Sequence, residues 1–134
     1  MSSLVTDTHA LIWYMLSLEK LSSKALAAFE QATTNGSFIY LSAISVVEIA
    51  YLVEKGRLPT LVLQRLIEAI YDTNMNVTVV PLDVEISLAI RQFTRTSVPD
   101  MPDRIIAATA LHLNLPLITR DGKLLALTEI KTIW

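Results

Sequence analysis

Short, densely apolar runs alternate along this chain with longer stretches in which apolar residues recur every three or four positions. The short runs read as buried strands: SSLVT at 2–6, FIYL at 38–41, the valine-rich NVTVVPL at 76–82, PLIT at 116–119 and TIW at 132–134. The longer ones predict helices. THALIWYML continues the first strand into a helix through Leu16, and Ser22 or Ser23 can cap a second helix running to about Thr33. After a turn at NGS (35–37), SAISVVEIAYLVEKG spans 42–56 and ends in the stop signal Lys55-Gly56. Further helices are predicted at 61–72, from the N-cap Asp83 through about Phe93, and at 103–113. Strands alternating with helices imply an α/β fold in which a parallel sheet is covered on both faces.

At 134 residues the chain suits a single domain, 1–134, large enough to bury a core. Its apolar fraction is 52% against the usual figure of about 45–50%, and its charged fraction is 18% against about 25%. That surplus suggests that a partner chain covers some apolar surface. The apolar runs are interrupted by Glu48, or by His112, Asn114 and Pro116, so none is built to span a bilayer. The first residues lack a basic segment and carry Asp7 early, which does not read as a signal peptide; the expectation is a soluble cytoplasmic protein with no membrane partner. With no cysteine and two histidines, thiolate sites are excluded and zinc has few ligands. A net charge of −2 offers no global pull on nucleic acid, so any such binding must use a local basic patch.

The candidate chemistry is carboxylate chemistry. Residues 99–124 set Asp100, Asp103 and Asp121 around one of the most apolar runs in the chain. In an open α/β sheet the ligand site lies beyond the carboxyl ends of the strands. Asp7 follows the first strand there, Asp121 follows PLIT, Asp103 opens a helix and Glu48 lies near the start of another. Each acid has a structural explanation. Glu48, three residues after Ser45, has the spacing of a capping box. Asp103 at a helix start meets free N–H groups and the macrodipole. Asp121-Gly122 is a common turn pair, and Asp7 and Asp83 are good N-caps. Asp83 needs no other role. The convergence of the remaining four is harder to dismiss, because carboxylates meeting at one edge repel one another. A hard divalent cation, Mg²⁺ or Mn²⁺, is the usual remedy. A cation so held can clamp and polarise a phosphodiester and activate water.

Four segments carry a resemblance: VTDTHALIW (5–13), SVVEIAYLVEKGRL (45–58), DMPDRIIAATA (100–110) and LITRD (117–121). In that order they resemble the PIN domain, in particular the short VapC-type toxins of bacterial toxin–antitoxin pairs. The resemblance implies a three-layer α/β/α sandwich with a mostly parallel, about five-stranded sheet. It also implies a Mg²⁺-dependent ribonuclease, with Mn²⁺ as a substitute, whose metal-holding and catalytic acids are Asp7, Glu48, Asp103 and Asp121. RNA is then the substrate, a protein antitoxin the partner and a homodimer the assembly. Asp100 matches a frequent additional acid and is peripheral; the sequence departs from the family pattern in reading DMPD where DPxD is common. Thr119 resembles a hydroxyl residue that holds a ligand water, and Arg104 and Arg120 adjoin the acids, where they could contact RNA phosphates or orient carboxylates. His9 reads as a packed or hydrogen-bonded histidine. Trp13, Tyr14, Tyr51 and Leu52 fit either a docking face or ordinary core packing.

Two other classes compete. A phosphoacceptor signalling domain needs an acid pair after the first strand, an acid ending a central strand and a late lysine; here Asp7 stands alone and FIYLS carries no acid. A catalytically inactive module, binding protein or RNA, would keep the acids only as caps. No stretch encodes which RNA is cut.

Overall fold

The structure, a computed structural model, describes residues 2–134. Among them are five strands: β1 (Leu4–Thr6), β2 (Ile39–Ser42), β3 (Val77–Val80), β4 (Leu117–Ile118) and β5 (Thr132–Ile133). They form one sheet of order β3-β2-β1-β4-β5, and every pairing is parallel. The helices are α1 (Thr8–Leu16), α2 (Ser23–Thr34), α3 (Ala43–Glu54), α4 (Thr60–Tyr71), α5 (Val84–Ala89), α6 (Met101–Leu113) and α7 (Gly122–Leu125). None among the described residues is long and apolar enough to cross a membrane.

Alternation along the strands divides the core into two. Successive strand side chains point to opposite faces, so Leu4, Ile39, Leu41 and Ile118 pack on one side while Val5 and Leu117 pack on the other. The first side receives α1, α2 and α4 and the second receives α5, α6 and α7. This is a three-layer α/β/α sandwich. Apolar residues spaced by three and four turn α2 (Ala25, Phe29, Ala32) and α4 (Val62, Leu66, Ala69) towards the sheet. Phe29 is fully buried and stacks on Tyr14 at 4.4 Å, and burying a side chain of that size stabilises by roughly 1.5–3 kcal/mol.

Local signals set the helix ends. Ser22 accepts from the Ala25 N–H at 3.0 Å, the N-cap foreseen for α2. At the end of α3, Gly56 adopts φ +73°, and the N–H groups of Gly56 and Arg57 return to the carbonyls of Val53 and Leu52 at 3.0 and 2.9 Å. That left-handed closure is one a β-carbon disfavours. Two boundaries differ from expectation. The helix predicted from Asp83 to Phe93 is α only to Ala89 and continues as a 3-10 turn over Ile90–Gln92. The helix predicted from residue 103 begins at Met101, because Asp100 is its N-cap.

Sheet order fixes where function can sit. The chain moves outward from β1 through β2 to β3 and then crosses to β4 on the other side of β1. Strand order therefore reverses at β1 and β4, and the loops leaving these two strands diverge around a crevice.

Candidate active site

Asp7 follows β1 directly and caps α1, its Oδ1 accepting from the Ala10 N–H at 2.8 Å. Its other oxygen, Oδ2, accepts a 2.5 Å hydrogen bond from the Thr119 hydroxyl. Thr119 stands just past β4, and the same hydroxyl accepts from the Asp121 N–H at 3.0 Å. One buried threonine thus joins the ends of the two strands at the crevice. The sequence offered Thr119 as a holder of a ligand water or a structural strand threonine; its hydroxyl bonds Asp7 directly.

The remaining acids arrive from three separate helices. Glu48 on α3 accepts from the Thr8 hydroxyl at 2.7 Å, and that hydroxyl lies 2.8 Å from Ser45 Oγ. The capping-box explanation of Glu48 is therefore set aside. The cap of α3 is Ser42, whose hydroxyl accepts from the Ile44 N–H at 3.2 Å. Asp100 caps α6 by accepting from the Asp103 N–H at 3.0 Å, which leaves Asp103 in the first turn with its carboxyl directed elsewhere than to a cap. Asp121 accepts from the N–H groups of Lys123 and Leu124 at 2.9 and 3.1 Å and so caps α7, a short helix where the sequence suggested a turn.

Asp7, Glu48, Asp100, Asp103 and Asp121 line one cavity of about 240 Å³ together with Thr8 and His9. Their electrostatics register the crowding. Asp103 is pushed up to about 7, first by burial and then by the charges of Asp100, Asp121, Glu48 and Asp7. Burial also raises Asp7, against the opposing pull of the Thr119 and Ala10 hydrogen bonds and His9, and the charge of Asp121 adds to it. Glu48 is raised by burial, opposed by its bond from Thr8 and helped by Asp100. Oxygen-only donors that raise one another's proton affinity suit a hard cation. The cluster is open: among the described residues, no three acid or histidine side chains form a ready-made ligand set.

The PIN domain family profile matches residues 4–130. The chain belongs to the PIN domain family. Over 130 residues it is 28% identical to Ribonuclease VapC22 of Mycobacterium tuberculosis, covering 92% of this chain and 91% of that protein. Its fold is similar to VapBC2 from Rickettsia felis, solved bound to a DNA fragment from its promoter, with a TM-score of 0.73 at 15% identity over 97% and 96% of the two chains. It is also similar to a toxin–antitoxin complex from Klebsiella pneumoniae, with a TM-score of 0.61 at 21% identity over 95% and 94%. At those identities the two solved structures bear on the fold alone.

Around this PIN crevice the basic residues divide. Arg104 points away from the acids. Its guanidinium donates to the carbonyl oxygens of Ile90 and Phe93, both at 2.9 Å, while its buried Nε has no protein partner. It satisfies backbone carbonyls at the end of the α5 segment, in place of the phosphate or carboxylate contact the sequence suggested. Arg120 stays at the site, exposed and over the Trp13 ring. His9 is exposed, with its ring 6.1 Å from Trp13, and lines the acid cavity. Sequence reasoning missed Thr8 as the partner of Glu48; its place directly after Asp7 was the available signal.

A larger cleft of about 460 Å³ lies elsewhere, between α1, α2 and α4, and is lined by Tyr14, Met15, Leu18 and Ala69 among others. Volume favours that cleft, but the perturbed, convergent carboxyls do not lie in it, and chemistry is the better guide to a reacting centre.

Proposed function

We propose that this PIN domain is a Mg²⁺-dependent endoribonuclease, with Mn²⁺ as a substitute, acting in the cytoplasm as the toxin of a toxin–antitoxin pair. The observation that carries the reading is the gathering of Asp7, Glu48, Asp103 and Asp121 from four parts of the fold around one cavity. Asp7, Glu48, Asp103 and Asp121 would hold a divalent cation, which when bound would supply charge to polarise a phosphodiester and lower the pKa of an attacking water. Mg²⁺ usually keeps several waters and takes few protein ligands, which accords with an open cluster.

The chain's own groups do the positioning. Thr119 and the Ala10 N–H fix both oxygens of Asp7, Thr8 fixes Glu48, and the first turn of α7 fixes Asp121. Asp103, half-buried and raised to about 7, carries a charge that a neutralising cation would stabilise. Asp100 adds negative charge at the rim. These preset geometries lower the reorganisation needed when a phosphodiester binds.

The relative named as a ribonuclease supports an RNA substrate here, and the resemblance of the four sequence segments to VapC-type toxins supports a protein antitoxin. An antitoxin helix would dock in the cleft between α1, α2 and α4, where Tyr14, Met15, Leu18 and Met75 offer apolar contact beside the charged Glu30, Arg65, Glu68 and Asp72. We also propose a homodimer, for which the exposed Val47 and Tyr51 of α3 and Val84 and Leu88 of α5 offer apolar surface.

A second reading, an inactive binding module, is favoured by the cap bonds of Asp7, Asp100 and Asp121. Incubation with a mixed RNA pool separates the two. Cleavage that needs Mg²⁺ or Mn²⁺, stops with EDTA and is lost in folded Asp7→Asn supports the nuclease; unchanged cleavage by Asp7→Asn rules out the assigned site.

A further inference from the structure

A second cleft, of about 350 Å³, opens beside the acid cavity and shares Asp7, His9 and Asp121 with it. Its remaining wall is Trp13 and Arg120. Trp13 is half-buried and packs on the first core cluster, with Trp134 edge-on at 5.9 Å and the His9 ring tilted at 6.1 Å. Core packing accounts for part of the indole. It does not account for the part facing the cleft, over which the Arg120 guanidinium stands at 5.7 Å from the ring centroid. That separation lies within the reach of about 6 Å for a cation–π contact, and the arginine making it is exposed.

We propose that Trp13, covered by Arg120, is a stacking platform for the base of the nucleotide adjoining the phosphodiester at the acids. The inference rests on the nuclease reading for the identity of its ligand, although its test needs no cleavage. An acid cavity repels a polyanion, and a chain of net charge −2 has little long-range attraction with which to compensate. A neutral aromatic face beside the acids holds the nucleotide through its base. Arg120 adds a cation that can lie flat on a π-face and a positive charge near the phosphate. Because the cleft and the cavity share Asp7 and Asp121, a base against Trp13 sets its own phosphate towards the acids. Every base has a π-face, so the platform tolerates all four. A cleft of this size falls within the usual range of about 300–1,000 Å³ for ligand sites.

The test uses the full chain carrying Trp134→Phe, which leaves Trp13 as its one tryptophan. It is titrated in Mg²⁺ with AMP, CMP, GMP and UMP, and with ribose 5-phosphate as the baseless control. All four nucleotides should quench Trp13 fluorescence saturably while ribose 5-phosphate does not. Arg120→Ala should raise the nucleotide Kd about two- to fivefold, the range for an exposed cation–π contact. Should Trp134→Phe fail to fold, wild type and Trp13→Phe report the same site by difference. Equal quenching by ribose 5-phosphate, no saturable quenching by any nucleotide, or an unchanged Kd in Arg120→Ala each overturns the proposal. Stacking in a chain that cuts no RNA would sink the nuclease reading alone, and cleavage without stacking would sink the platform alone.

Discussion

The Thr119 hydroxyl and Asp7 Oδ2, 112 residues apart in sequence, lie 2.5 Å apart in a buried hydrogen bond. The distance falls within the short range of about 2.5–2.7 Å expected of a hydroxyl donating to a charged oxygen. Replacing the donor by its near-isostere should therefore be costly. Thr119→Val should lose about 1–3 kcal/mol in urea denaturation, the penalty for stranding a buried acceptor, whereas Thr119→Ser should keep most of the stability. Equal losses in the two variants would assign the role of Thr119 to its methyl group.

The raised acids give stability a direction in pH. The Asp103 carboxyl titrates near 7 when folded and from 3.8 in its ordinary state, so between these values the folded chain binds more protons than the unfolded one. The stability this group contributes is fully present below 3.8 and is lost as pH rises through about 7; Asp7 and Glu48 act in the same direction. In EDTA the denaturation midpoint of wild type should fall from pH 5 to pH 8, and Asp103→Asn should flatten that fall. A midpoint that rises over the same interval contradicts the crowded-carboxylate account.

Arg104 and Arg120 should separate by kind of defect. Arg104→Met strands the carbonyls of Ile90 and Phe93 and should destabilise by about 1–3 kcal/mol, leaving the salt dependence of RNA binding unchanged. Arg120→Ala should melt like wild type and show a shallower salt dependence. Fluorescence anisotropy with a labelled single-stranded RNA at several salt concentrations reads this difference, and an unchanged slope in Arg120→Ala removes that residue from the RNA contact.

The cleft between α1, α2 and α4 carries the partner prediction. Leu18, half exposed at 50%, lines it and does not line the acid cavity, so Leu18→Asp should abolish copurification with the proposed antitoxin and leave RNA cleavage intact. Copurification that survives the substitution places the partner on another surface.

Much of this arrangement was legible in the sequence, for identifiable reasons. Short apolar runs rich in β-branched residues gave the strands, and the acids that follow a strand closely, Asp7 and Asp121, could be assigned to the sheet edge without side-chain detail. What failed was local rivalry among polar groups. The spacing of Ser45 and Glu48 suits a capping box, yet a tertiary partner, the Thr8 hydroxyl, took Glu48 and left capping to Ser42. Asp103 beside Pro102 looked like a helix start, but Asp100 three residues earlier captured the Asp103 N–H and moved the boundary. Arg104 adjoins an acid in sequence while helix geometry turns its side chain towards the α5 segment. Capping and clustering coincide in the same residues: Asp7, Asp100 and Asp121 cap helices and also line the acid cavity.

A cation site at these acids, in addition to helix capping, is distinguished by thermal melts of wild type, Asp103→Asn and Asp103→Ala at pH 8, each in EDTA and in Mg²⁺. Wild type should gain about 2.7 kcal/mol at a hundredfold excess of Mg²⁺ over its dissociation constant. Asp103→Asn, relieved of repulsion, should melt above wild type in EDTA and gain little from Mg²⁺. A wild type indifferent to both Mg²⁺ and Mn²⁺, with only Asp103→Ala destabilised, would contradict the cation site and leave Asp103 as a helix-start residue.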